Sequence, residues 1–214
     1  MRTDDLISQL SSNLKPVTPW KAPWKMALRY FIYGLVIIAA LLMLTGHRYD
    51  LSSELSDRHF WMGLIMWFVF FGVGLQLVFT LAVPGRKVSK TLTGLCSLVA
   101  LGILAWHVHG VMGMTEEGWN RGADSHGIAC SIVTLMASLI SGFLIAKQVR
   151  RGASSRPVLS SLVVGLSSLA VGGALISLSC GDTNGAHIMI WHFLVPLVIV
   201  GGLAAFLIRK LLNW

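Results

Sequence analysis

Apolar residues run through this chain in six long blocks separated by short polar breaks. Residues 27–45, 61–83, 91–113, 127–146, 158–178 and 187–208 lack Asp, Glu, Lys and Arg except at their edges. Each block can cross a hydrocarbon layer of about 30 Å at about 1.5 Å per helical residue. A water-exposed helix of that length would carry a polar face, and these blocks have none. The pattern therefore predicts an all-α fold: an integral membrane six-helix bundle over residues 27–214, preceded by a polar segment, residues 1–26. The first block is too long for a signal-peptide core and follows Asp4, Asp5 and several basic residues, so it is expected to be retained.

Composition sharpens this picture. The chain is 55% hydrophobic and 12% charged, against about 45–50% and about 25% for soluble domains. The basic residues then set an orientation. Fourteen of the seventeen fall on one side of the expected bundle, at the N-terminus, residues 86–90, 147–156 and 209–210. Arg48, Arg58 and Arg121 fall on the other, with seven of the nine acids. The positive-inside rule places both termini in the cytoplasm, N-in and C-in, of a multi-pass protein of the bacterial inner membrane. A net charge of +8 and a pI near 9.9 then express orientation and contact with anionic lipid. Basic residues spread over separate loops argue against direct nucleic-acid binding.

The leading segment has its own pattern. Thr3 can cap a helix, Asp4 and Asp5 suit its positive N-terminal end, and Pro16 turns Lys15 out of the helical region and ends it. Leu6, Leu10 and Leu14, with Ile7 beside them, form a narrow apolar stripe. Such a helix can lie on the bilayer surface or dock a cytoplasmic partner, and its polar face lacks the Lys and Arg typical of surface helices. Trp20-Lys-Ala-Pro-Trp24-Lys25 reads as an interface anchor and tether.

Candidate chemistry gathers at the opposite side. Cys130 opens the fourth block and Cys180 closes the fifth, so both belong at the outer surface. Cys96, near the inner end of the third, lies about 20 Å lower by helix rise and can reach neither. Two thiols facing an oxidising compartment are expected to be disulfide-bonded, metal-bound or held apart. His126 precedes Cys130 by one helical turn, and His187 faces Cys180 across the hairpin Cys180-Gly-Asp-Thr-Asn-Gly-Ala-His187. Cys130, Cys180, His126 and His187 form a candidate set for a soft metal ion, Zn²⁺, Cd²⁺ or Cu⁺.

A second reading uses other histidines. His107 or His109 in the third block and His192 in the sixth share a depth, so a b-type haem held by two histidines is an alternative. His107 and His109, two residues apart on a helix, cannot both face one ligand. A thiol oxidase would be expected to carry a C-x-x-C pair, and the chain has none. An ion-coupled transporter would be expected to place a charge in the membrane core, where these blocks carry none. Phosphate loops and nucleophile-base motifs are also missing, so no catalytic residue is assigned and the protein is expected not to be an enzyme.

Arg2-Thr-Asp-Asp-Leu-Ile7 with Lys15-Pro-Val17, six short spans, and single cysteines ending two of them together resemble the NrsF-type (negative regulator of sigma F) membrane anti-sigma factors. The resemblance implies that the cytoplasmic N-terminal segment holds an extracytoplasmic-function sigma factor at the membrane and that the outer cysteine pair responds to stress. By position it assigns Thr3, Asp4, Asp5, Leu6 and Ile7 to the sigma-contacting segment and Cys130 and Cys180 to the sensor; it gives Cys96 no role. The residues agree in one respect: the N-terminal segment alone is long enough on the inner side to grip a protein. Reversing a 99:1 equilibrium takes about 5.5 kcal/mol, which a disulfide or a tightly bound metal supplies and one surface salt bridge does not.

Overall fold

The computed structural model describes residues 3–12, 21–152, 154, 156–208 and 210. Leu14, Lys15, Pro16 and Trp20, expected to extend the stripe, end the helix and anchor the chain, lie outside the described residues. The described residues form helices and loops, with no strand among them. Helix α1 spans Thr3–Ser12, with Thr3, Asp5 and Ile7 exposed.

Among the described residues, six helices are long and apolar enough to cross a membrane: Pro23–Thr45, Arg58–Leu81, Lys90–Val111, Ser125–Val149, Pro157–Ser179 and Gly185–Phe206. Each begins one to four residues before the apolar block that predicts it. Charged residues do not stop a helix whose end lies outside the apolar layer, so Lys25, Arg58 and Lys90 fall within first turns. Proline suits the first turn, where its missing N–H is not needed, and Pro23 and Pro157 open α2 (Pro23–Thr45) and α8 (Pro157–Ser179). Asp57 caps α4 (Arg58–Leu81) by accepting from the His59 backbone N–H at 3.0 Å. Short helices α3 (Leu51–Glu54) and α6 (Glu116–Gly122) fill two of the connections.

Helix α8 is the axis. It packs against α7 (Ile128–Val149), α4 and α2, and 83% of its apolar window is enclosed, against 11% for α5 (Lys90–Val111). Its small residues explain the position. A Cβ on Gly172 would meet the Thr134 carbonyl and the Ser138 hydroxyl of α7, so only glycine permits this approach. Hydroxyls line the seam. Thr134, Ser138 and Ser141 are buried, and each donates to the carbonyl four residues earlier on α7, at 2.9, 2.8 and 2.8 Å. These groups are thereby satisfied without water. Phe79, Leu75 and Val78 of α4 share the central apolar core with Leu175, Val171 and Val164 of α8.

Both ends of the bundle are tied. At one, the Tyr30 hydroxyl donates to Gln148 Oε1 at 3.4 Å, joining the start of α2 to the end of α7. At the other, the loops after α2, α5 and α8 converge. The Arg48 backbone N–H donates to Leu178 O at 3.0 Å, and the Asn184 side chain donates to Gly118 O at 3.1 Å.

A cysteine and histidine cluster as candidate functional site

Two helix ends and one distorted helix build this site. Asp124 accepts from Ser125 N at 2.6 Å and starts a 3-10 turn, Ser125–Gly127, that runs into α7. Cys130 therefore lies in the first turn of α7. Cys180 closes α8, its backbone N–H still bonded to Ile176 O at 2.9 Å. The chain then turns over Asp182 Oδ1, which accepts from Asn184 N at 2.8 Å, and Asn184 caps α9 (Gly185–His187) through Ala186 N and His187 N, at 2.9 and 3.2 Å.

Beyond α9 the chain winds into a π-helical stretch, Ile188–Leu194, with the Val195 N–H reaching back five residues to Ile190 O. Pro196 accounts for it. Proline lacks an N–H and its ring clashes with the carbonyl four residues earlier, here that of His192, at the head of α10 (Val195–Leu203). The widening has a geometric effect. In an α-helix, residues five apart stand about 140° from each other at about 100° per residue; five-residue bonding winds the chain more slowly and turns them toward a common face. His187 and His192 accordingly come together, ring centroids 5.0 Å apart.

The sulfurs meet from opposite sides, with Cys130 Sγ donating to Cys180 Sγ at 3.4 Å. His187 Nε2 is 3.8 Å from Cys180 Sγ. One ligating atom each from Cys130, Cys180, His187 and His192 all lie within 4.8 Å of one another. Both imidazoles are buried, and His192 Nε2 has no hydrogen-bond partner. His187 Nδ1 lies 3.3 Å from Asp182 Oδ2, off the line of a hydrogen bond, and has no other partner. The hydrogen bond from Cys130 first, then the neighbouring His192 imidazole, hold the Cys180 thiol well below its usual value despite burial. Partial burial opposes ionisation of Asp182, but the Asn184 N–H and His126 outweigh it and keep its carboxyl below the usual range.

The comparisons agree with the residues. A family profile described as Negative regulator of sigma F matches residues 10–214. The chain belongs to the NrsF family. The Anti-sigma-F factor NrsF of Caulobacter vibrioides (strain NA1000 / CB15N) is 27% identical over 228 residues, spanning 100% of each chain. No solved structure matches. The profile begins at residue 10, after the Arg2-to-Ile7 motif.

In this NrsF-family chain the remaining candidates are sorted by position. His126, assigned to the metal set from its spacing to Cys130, stands outside the four. It is exposed, stacks on His187 at 5.0 Å, and has Nε2 3.3 Å from Asp182 Oδ2, so it touches the cluster through Asp182. His192, named with His107 and His109 for the alternative haem reading, completes the group of four. His107 is buried with Nδ1 2.8 Å from Ile103 O, and its ring stacks on Phe193 at 4.6 Å, with Trp67 at its edge. His109 is exposed. His107 and His192 both line a recess of about 170 Å³ at this end of the bundle. Cys96 packs against the apolar core in the first half of α5.

One charged neighbour of the cluster escaped the sequence reading. Arg48 is buried, grips Asp50 through Nε at 2.6 Å and Nη2 at 2.8 Å, and lies 3.4 Å from Glu54. Its signal was a basic residue closely followed by two acids, in a loop that the fold sets beside the cysteine hairpin.

Proposed function

We propose that this chain is a multi-pass anti-sigma factor of the bacterial inner membrane. In this reading both termini are cytoplasmic, residues 1–16 hold an extracytoplasmic-function sigma factor away from RNA polymerase, and the cysteine and histidine cluster is the outward-facing sensor of redox or heavy-metal stress. The family profile over residues 10–214 carries the reading. The six apolar helices and the clustering of Cys130 with Cys180, 3.4 Å apart, support its membrane and sensor parts.

The chemistry needs no catalytic residue. Oxidation of the free dithiol form of the pair would form one S–S bond, release two protons and pass two electrons to an outer thiol oxidant of the disulfide class. Binding of a heavy metal would displace the same protons without electron transfer. Either event changes the junction of α7 and α8, which run to the opposite end, where the basic loop joins them. Co-expression with the sigma factor encoded beside the gene tests the reading: the full chain should capture it, and a chain lacking residues 1–16 should not. Equal capture by both would overturn the assignment of the N-terminal segment.

A further inference from the structure

The cluster is more than a pair of thiols, and its two buried imidazoles require an explanation. A buried polar nitrogen without a hydrogen bond is costly, and here two occur on neighbouring rings, His192 Nε2 and His187 Nδ1. His192 is brought beside His187 by a π-helical stretch, a rare conformation that concentrates at functional sites. A disulfide between Cys130 and Cys180 would leave both imidazoles unexplained. We propose that Cys130, Cys180, His187 and His192 are the four ligands of a resident divalent ion of zinc's class, which is the unstressed state of the sensor. As a role this rests on the anti-sigma reading; as a site it rests on the cluster alone.

Several features fit. Two thiolates and two imidazoles are the donor set preferred by Zn²⁺, closed at four protein ligands in structural sites. With metal–sulfur and metal–nitrogen bonds of about 2.3 and 2.05 Å, a tetrahedron places sulfurs about 3.8 Å apart and sulfur from nitrogen about 3.6 Å. The corresponding separations are 3.4 Å for Cys130 to Cys180 and 3.8 Å for Cys180 to His187 Nε2. A small approach of the outlying atoms, all within 4.8 Å, completes the set. Ligating histidines direct their other nitrogen to a carboxylate or carbonyl. Asp182 stands 3.3 Å from His187 Nδ1, and a slight turn of the ring upon ligation would satisfy that otherwise unpartnered atom. Two thiolates neutralise a divalent ion at the margin of an apolar bundle, so the loaded site buries no net charge. The recess lined by Glu54, His59, Trp106, Cys180 and His192 supplies a path in.

His126, Asp182 and His187 form the competing set, also within 4.8 Å. That set has three nitrogen or oxygen donors, one of them exposed, and uses neither sulfur.

The test uses the full-length protein in detergent, reduced, in a Cys96→Ser background, with Co²⁺ as the probe and no sigma factor present. The expected result is one Co²⁺ per chain, with the d–d bands of a tetrahedral ion and thiolate-to-cobalt charge transfer, both removed by Zn²⁺. His192→Ala should weaken Co²⁺ binding by tenfold or more, and His126→Ala by less than threefold. Weak six-coordinate bands without charge transfer, or loss of binding in His126→Ala with His192→Ala intact, would overturn the site. Because a ligand variant can misfold, unaltered Cys130 and Cys180 are also titrated with a maleimide: Zn²⁺ should slow their modification at least tenfold, and equal rates would overturn the proposal. Sigma-factor capture is scored separately, so a chain that binds Co²⁺ as described but captures no sigma factor keeps the site and refutes its regulatory role.

Discussion

Oxidation of Cys130 and Cys180 should stabilise the metal-free protein by an amount that the chain itself bounds. Their sulfurs are 3.4 Å apart across a separation of 50 residues. Closing a loop of that length removes about 4 kcal/mol of conformational freedom from an unfolded chain. In a detergent micelle the unfolded state keeps much of its helix, so this is an upper limit. For a chain of this size, about 2–4 °C of midpoint accompanies each kcal/mol, which gives at most about 8–16 °C. The assay is thermal unfolding of purified protein in chelator, oxidised against reduced, in the Cys96→Ser background. The oxidised protein should melt higher, and Cys130→Ser and Cys180→Ser should each abolish the difference. An equal gain in either single variant, or no gain in the parent, would refute the claim that these two sulfurs are within bonding reach.

Gly172→Val should force a side chain into Thr134 and Ser138 and lower stability by about 1–3 kcal/mol, measured by the same melting assay. Asn184→Ala removes the cap on His187 and the bond to Gly118 O, and should cost about 1–2 kcal/mol; stability equal to the parent would show that the turn holds itself. Arg48 holds the Asp50 carboxyl below the usual carboxylate range through its side-chain hydrogen bonds. A depressed folded value means stability present above the ordinary carboxylate pKa of about 3.9 and lost as pH falls through the folded value. Arg48→Gln should flatten that acid limb of the stability–pH curve, and an unchanged limb would assign it elsewhere.

The six long helices were legible because a bilayer leaves so few ways to satisfy a backbone that length and apolarity alone declare a span. Their starts were less legible, since a lysine or proline in a first turn reads as an interruption when only apolarity is counted. In the cluster, Cys130, Cys180 and His187 could be placed by the ends of their helices. His192 could not. On an ordinary helix it points about 140° from His187, and its depth alone paired it with His107 or His109. Pro196, four residues beyond, was the available signal: it marked a kink, and the wider turn it produces reaches back to His192. Arg48 stayed hidden because burial of an arginine depends on where the loop folds, not on its neighbours in sequence.

The hydroxyls along the α7 and α8 seam carry a mechanical consequence. Thr134, Ser138 and Ser141 donate their protons within α7, and Ser168 and Ser177 donate theirs within α8, at 2.8 Å each to Gly165 O and Gly173 O. Among the described residues, a long 3.5 Å contact from Ser141 to Ser168 O is the one hydrogen bond across the buried stretch of the seam. The two helices thus touch closely yet are scarcely fastened, like rails greased rather than bolted. Displacing one along the other breaks almost no polar bond, and its resistance comes from close packing such as that of Gly172 against Thr134 and Ser138. At one extremity Cys130 of α7 faces Cys180 at the end of α8, 3.4 Å away, and at the other Tyr30 of α2 holds Gln148 of α7. A seam held along its length by shape and not by bonds would pass a shift at the cysteine end down α7 and α8 as whole rods.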